Sequence, residues 1–355
     1  MAERGERREF EVRVLVATLI IVLTVGAAVL VWRYANLLLL LFAAVLLAIL
    51  IDAAATAVSR RTPLPRTASV ILVWLTLLAL LALLGMVGGP RIADQLSTLS
   101  DRVTEAVASL RDYLDGREWG QWLLDEARRF GERLPSGSDI FDRVTGFFST
   151  AVAWITGAVV VVVVAIYLSI KPSVYVDNLL RLVPASRRDR IRQVADELAR
   201  SLRWWLIGRM GAMAALGVLT TIGLAVTGVP LAVTLGILAA VTAFVPYLGP
   251  VLWLIPAALV AWAADPLMVV WVAVIYGAVQ FLEGNLITPL IQQRAVSIPP
   301  ALLLTLQLVM GVFFGALGVL VATPLGVILI VVVQMLYVED VLGEEVRLLG
   351  MHGKG

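Results

Sequence analysis

From Trp204 to Val338 the chain carries four formal charges: Arg209, Asp265, Glu283 and Arg294. A stretch so poor in charge cannot present a polar surface to water, and in lipid its backbone must be closed within helices. Apolar residues make up 60% of the whole chain, against about 45–50% in an average globular domain even with glycine counted. Several runs pass the roughly 18 residues that mark a candidate bilayer crossing. The alternative, a large soluble helical protein, would keep a polar face on shorter helices. The expected fold is an all-α polytopic membrane protein with about seven to eight hydrophobic segments.

Charge divides the chain. VLVATLIIVLTVGAAVLVW (14–32) is expected as a first span: it is longer than a signal-peptide core, and no A-x-A-like site closes it. ANLLLLLFAAVLLAILI (35–51) and ASVILVWLTLLALLALLGMVGG (68–89) complete an N-terminal unit, 1–89, with the Arg-bearing linker 52–67 between them. Residues 90–146 hold eight Arg against eleven Asp and Glu. Ile92, Leu96, Leu99, Val103, Ala106, Leu110 and Leu114 recur every three or four residues there, the mark of an amphipathic helix. FFSTAVAWITGAVVVVVVAIYLSI (147–170) is a fourth span. Residues 171–205 carry eight basic side chains against four acidic ones, with Ile191, Val194, Leu198, Leu202 and Trp205 on one face. That segment is expected as a basic amphipathic helix along the cytoplasmic membrane surface. An apolar core, 206–338, and a tail, 339–355, follow. The Arg bias puts the N-terminus, 52–67 and 171–203 in the cytoplasm and 90–146 outside.

Prolines and glycines interrupt the core. In FVPYLGPVLWLIPAAL (244–259), Pro246, Pro250 and Pro256 fall close together, with Gly249 beside the second. Proline inside a helix removes a donor and clashes with the preceding turn, at about 3 kcal/mol or more. Broken backbone at membrane depth must therefore be buried in protein or line a cavity. The pattern recurs. Residues 228–259 and 297–328 align at an offset of 69, pairing Pro230 with Pro299, Ala232 with Ala301, Phe244 with Phe313, Leu248 with Leu317 and Gly249 with Gly318. Pro256 meets Pro324 one residue out of register, and Gly315 joins Gly318 at the second break. Arms of about 17 residues span roughly 25 Å as helix, short of a ~30 Å hydrocarbon core. Hairpins that enter and turn back fit at least as well as full spans. One crossing, 266–284, lies between the units and would make them an antiparallel, inverted repeat. Such repeats of interrupted helices point to a transport site near the bilayer midplane. The alternative is that these prolines only kink packed helices.

Polar side chains gather beside the breaks. Gln280, Glu283, Asn285, Thr288 and Arg294 fall within QFLEGNLITPLIQQR, which also holds Pro289. An ionisable group in an apolar region costs about 2.5–3.5 kcal/mol on insertion scales and is a functional candidate by default. Glu283 can carry a proton or pair a cation; Arg294 can neutralise it or hold an anionic group. Both could instead snorkel to the interface. Gln307 and Tyr247, with Thr242 and Trp253, can offer hydrogen bonds or a stacking face to a small polar solute, or serve packing. Asp265 before Pro266 reads as a helix cap. There is no cysteine, and the one histidine, His352, lies in the tail. No G-x-x-x-x-G-K-[ST], H-E-x-x-H or G-x-S-x-G occurs. No enzymatic activity, metal, cofactor or nucleic-acid partner is expected.

These blocks resemble the AI-2E transporter family, the autoinducer-2 exporter-like permeases. PYLGPVLWLIPAAL resembles its proline–glycine block, GNLITPLI with VSIPPALLL the next, and GALGVLVATPLGVILIVVV the last. The order of elements agrees over essentially the whole chain. Where the family block usually reads Glu-Asn-Asn, this chain has Glu283-Gly284-Asn285. The resemblance implies a bacterial inner-membrane exporter of a small polar solute such as the quorum-sensing molecule autoinducer-2, working by alternating access. Some members look like sodium (lithium)/proton antiporters, which would use H+ or Na+. A membrane scaffold recruiting partners through its amphipathic helices is the alternative of another class. Those amphipathic faces also lead us to expect a homo-oligomer.

Orientation is testable directly, because the chain lacks cysteine. With single cysteines at Ser109 and Ser186, an impermeant thiol reagent on intact cells should label position 109 and spare 186. Preferential labelling at 186 would reverse the topology.

Overall fold

The computed structural model describes residues 29–83, 151–289 and 298–344 without interruption, with scattered positions between 18 and 26 and between 86 and 126. About half of the expected first span, most of 90–146, positions 147–150, Arg294 and the end of the tail lie outside the described residues. No strand occurs among the described residues. Five helices there are long and apolar enough to cross a bilayer, or six if one bent pair is counted as a span. The chain is an all-α polytopic membrane protein.

Helix α1, Ala35–Arg61, runs ten residues beyond its expected apolar stretch. The continuation DAAATAVSRR is rich in alanine, the best helix former, and Arg60 and Arg61 in the last turn complement the helix dipole. Pro63 and Pro65 then prevent further helix. Helix α2 is Arg66–Leu83 and α3 is Ala151–Ile170. Pro172 opens α4, Pro172–Leu180, which departs from the end of α3 at 84°. Buried alanines let α1, α2 and α3 approach: Ala44, Ala48, Ala55 and Ala165 share a core with Val70 and Trp74. The Trp74 indole donates to Ser169 Oγ at 2.9 Å.

Helix α5, Arg188–Val226, is 39 residues long, roughly 58 Å, or nearly twice the hydrocarbon thickness. It joins the basic amphipathic segment to the apolar one across position 205, where a boundary was expected. No proline falls within it, and its first glycine is Gly208. The amphipathic half does not spend its apolar face on lipid. Val194, Leu202, Trp205 and Leu206 are buried against Leu46 of α1 and against Val327, Val331 and Met335 near the chain's end. Basic charge and an apolar stripe lead to the expectation of a membrane-surface helix; in the structure that stripe packs on protein.

The apolar core continues as α6, Ala232–Thr242; α7, Leu248–Ala264; α8, Met268–Leu282; and α9, Pro300–Val332. α6 packs on α5 through glycine: a Cβ on Gly236 would collide with Thr221 Oγ1, and one on Gly217 would press on Ala240. α9 breaks at Gly315, whose φ of 61° and ψ of −146° are open essentially to glycine alone. The chain reverses there. A Cβ on Gly318 would strike the carbonyl of Met310, and one on Gly249 would strike the carbonyl of Thr242. These two glycines, aligned in sequence at an offset of 69, thus do the same work. Each lets the second arm of its hairpin approach the backbone of the first. α6, at 11 residues, spans roughly 16 Å and cannot cross a ~30 Å core alone.

Contacts at the ends sort into two levels. Arg190 of α5 pairs with Glu339 at 3.0 Å and Asp340 at 2.7 Å, just past α9. Asp52 of α1 binds Arg66 at 2.6 Å and faces Arg203 of α5 at 3.8 Å. At the opposite end of α1, Trp32 packs on Phe313 and Phe314 beside the Gly315 turn. The first hairpin has its open end near Tyr113 and Ser109, which contact Trp262 of α7. The hairpins therefore open toward opposite ends of the bundle, with α8 crossing between them.

Gly249→Val and Gly318→Val should each lower thermal stability in detergent, by about 1–3 kcal/mol for an overpacked contact. Gly277→Ala, where a Cβ meets nothing within 4 Å, should be neutral or stabilising. Equal melting of all three variants would show that the glycines do not set the hairpin spacing.

Candidate functional site

The break in the first hairpin occupies residues 243–247, between α6 and α7. Pro250 has no N–H, so the helical bond it would give to the carbonyl of Pro246 is missing. That oxygen accepts instead from Leu248 N–H at 2.8 Å and from Gln307 Nε2 at 3.0 Å. The bond to Leu248 closes a three-residue turn at Tyr247, whose φ of 65° is uncommon for a residue with a Cβ. Leu248 N–H is thereby diverted from the carbonyl of Phe244. Arg209 fills that role, donating from Nε to Phe244 O at 3.2 Å. Two side chains from outside the hairpin thus complete its broken backbone: Arg209 from the middle of α5, and Gln307 from the first arm of the second hairpin.

Arg209 has a second partner. Its Nη1 lies 3.5 Å from Glu283 Oε1, with side chains 9% and 12% exposed. Glu283 sits where α8 widens into a π-helical turn, Glu283–Ile287. Such turns recur at functional sites because the extra residue re-aims side chains. A pair this buried balances its own charge; removing one partner would leave the other in a medium that tolerates bare charge poorly.

Several donors and acceptors remain without partners: Arg209 Nη2, Gln307 Oε1 and Gln280 Oε1 are buried and unbonded. Gln307 is 1% exposed. Gln280 lies three residues before Glu283, on the same helical face. Buried polar groups are almost always satisfied, so unpartnered ones call for an explanation.

The structure brings together Glu283, Gln307 and the Pro246–Pro250 break, with Gln280 one turn away. Asn285 is exposed and turns back on its own helix, donating to Phe281 O at 2.9 Å. Thr288 is half-buried at the end of the π turn and Pro289 is exposed. Tyr247 is half-exposed at the apex of the break. α7 and α9 run through Pro256 and Pro324, so the breaks lie at 243–247 and Gly315. Arg294, expected as the neighbour of Glu283, lies outside the described residues. Thr242 bonds its own helix at Leu238 O, and Trp253 is buried against Tyr276. Asp265 accepts from Leu267 N–H at 2.8 Å in the turn that leads into α8. Sequence reasoning left Arg209 without a role, although it was one of four charges in the core. Burial in a 135-residue apolar stretch was the available signal; its distance in sequence from Glu283 concealed the pairing.

The model of the AI-2E family transporter matches residues 18–337. The chain is 25% identical over 274 residues to the "Putative transport protein YueF" of Bacillus subtilis, covering 74% of each chain. It is 26% identical over 273 residues to "Putative transport protein YrrI" of the same organism, covering 74% of this chain and 76% of the relative. Over 278 residues it is 28% identical to "Putative transport protein MT0215" of Mycobacterium tuberculosis, covering 74% and 72%.

Arg209→Ala should cost about 3–5 kcal/mol by stranding Glu283, read as a fall in melting temperature in detergent. The Arg209→Met, Glu283→Leu double variant should recover much of that loss. A single variant with unchanged stability would mean that Arg209 does not balance Glu283.

Proposed function

The chain belongs to the AI-2E transporter family, a multi-pass membrane transporter, and from that premise we propose that it exports a small polar solute by secondary-active, alternating-access transport. The observation that carries this reading is the contact of the two hairpins at the broken backbone. Gln307 of the second hairpin donates to Pro246 O of the first, beside the buried Arg209–Glu283 pair. Discontinuous helices of an inverted repeat meeting around polar groups are the arrangement from which transporters build midplane sites. The hairpins would move as a body against α1–α3, exposing this junction to one side and then the other. On this reading the protein sits in a bacterial inner membrane with a cytoplasmic N-terminus, and works as a homo-oligomer. Autoinducer-2, or a solute of similar polarity, is the cargo the family suggests.

A second reading is sodium or lithium exchange for protons. It is supported by Glu283, the one carboxylate buried in the apolar core among the described residues. The two readings separate at this residue, since antiport needs a titrating group and solute export does not.

Proteoliposomes loaded with a mixture of small polar metabolites should release a subset faster than protein-free liposomes. An imposed proton or sodium gradient should accelerate that release. Export insensitive to any gradient would exclude secondary-active coupling. Glu283→Gln keeps the shape and hydrogen bonding but cannot titrate. Gradient-driven flux at the wild-type rate in that variant would remove Glu283 as an obligatory proton carrier, and the antiport reading with it.

A further inference from the structure

We propose that α4 and the turn after it form a docking surface for anionic phospholipid headgroups, seated at the boundary of the bilayer and anchoring the outer end of α5. The level is set by α3. Its 20 residues span roughly 30 Å, the thickness of the hydrocarbon core. Arg66 donates to the carbonyl of Ile170, the last residue of α3, at 3.5 Å, so charge already stands at that depth. Lys171 follows, and Pro172 opens α4 at 84° to α3. A helix turned through nearly a right angle at the end of a crossing lies along the membrane plane.

The sides of this short helix differ. Leu180 is buried, and Asp177 pairs with Arg192 of α5 at 2.5 Å. Tyr175 and Leu179, one turn apart on another face, are exposed, and Leu182 just past the helix is 82% exposed. The apolar stripe of α5 is already taken by protein, so contact with lipid in this basic segment falls to α4. Charge names the lipid. Lys171, Arg181, Arg187, Arg188, Arg190 and Arg192 stand against Asp177 and Asp189. Arg190 and Arg192 are held by carboxylates, and Arg188 donates to Val183 O at 3.0 Å. Lys171, Arg181 and Arg187 are exposed, and their side chains have no ion pair or hydrogen bond among the described residues. Uncommitted cations around an exposed apolar patch match a surface that is apolar below and anionic above. Through Asp177, lipid held on α4 restrains the end of α5 that Arg190 clasps.

The test uses the full chain, and the absence of cysteine allows single spin labels at Leu179→Cys, Leu182→Cys and Ser173→Cys. In nanodiscs of phosphatidylglycerol and phosphatidylcholine, oxygen dissolved in the bilayer should reach the first two labels. A water-soluble nickel chelate should reach the third, since Ser173 lies one turn from Asp177 on the side away from lipid. Nickel reaching Leu179 and Leu182 as readily as Ser173 would overturn the proposal. Exclusion of both reagents there would overturn it as well, as the sign of a second copy or another protein on the patch. Charge is tested in detergent micelles, where added phosphatidylglycerol should raise the melting temperature. The Arg181→Gln, Arg187→Gln variant should raise the half-saturating phosphatidylglycerol concentration about fivefold for each charge removed. Equal stabilisation by phosphatidylcholine, or by glycerol phosphate in solution, would overturn the assignment to an anionic lipid. An equal loss in the Arg60→Gln, Arg61→Gln variant would overturn the assignment to α4. Should the Arg181 and Arg187 variant fail to fold, the spin labels decide whether α4 meets lipid, and the response of the wild type to the two lipids decides the charge.

Discussion

A carbonyl freed by proline inside a bilayer has no water to turn to and must find its donor within the protein. At membrane depth this fixes more of the molecule than any single apolar contact. The break at 243–247 leaves Phe244 O and Pro246 O needing donors, and the donors come from two distant parts of the chain. Arg209 ties the hairpin to the middle of α5; Gln307 ties it to the second hairpin. Arg209 in turn recruits Glu283 and the π turn of α8. Removing the prolines would leave α5, α8 and α9 without a common polar centre. Leu216, Leu235, Trp253 and Val272 share one buried apolar cluster with Ala243, the first residue of the break.

The ionic contacts at the bundle's end are of another kind. Arg190 with Glu339 and Asp340, Arg66 with Asp52, and Arg192 with Asp177 are all partly exposed. Pairs of this type add on the order of 1 kcal/mol or less, so they hold register more than they hold the fold. The carboxylates of Asp340 and Glu339 keep the Arg190 guanidinium pKa above its ordinary value. The Arg209–Glu283 pair lies far deeper, and its worth lies in what its absence would strand.

Much of this was legible in the sequence because proline and glycine act locally. Gly249 and Gly318 announced themselves by an offset of 69, and both prove to be close-approach positions at a reversal. Asp265 was expected as a helix cap; its carboxylate accepts from Leu267 N–H in the turn that leads into α8, and Leu267 holds the cap position. What escaped reading was tertiary. The apolar stripe of Val194, Leu202 and Trp205 has the same periodicity whether it faces lipid or protein, and only the fold supplies Leu46, Val327 and Met335 as its partners. Asn285, polar and close to Glu283, seemed a natural ligand, yet its amide turns back to Phe281 O. Arg209 paired across 74 residues of sequence, beyond the reach of any helical spacing rule. Pro256 and Pro324 lie inside helices that continue through them, since neighbouring helices can satisfy one missing bond.

Helix α5 has a mechanical consequence. Arg209 sits 19 residues beyond Arg190 on one unbroken helix, a lever arm of about 28 Å. With Arg209 as the fulcrum, a tilt of about 5° would carry the Arg190 end through about 2.5 Å. That displacement rivals the 2.7 and 3.0 Å separations of Arg190 from Asp340 and Glu339. The outer clasp can hold at one angle of the lever and must let go at another, so a small adjustment at the buried fulcrum is amplified into the making or breaking of contacts at the protein's surface.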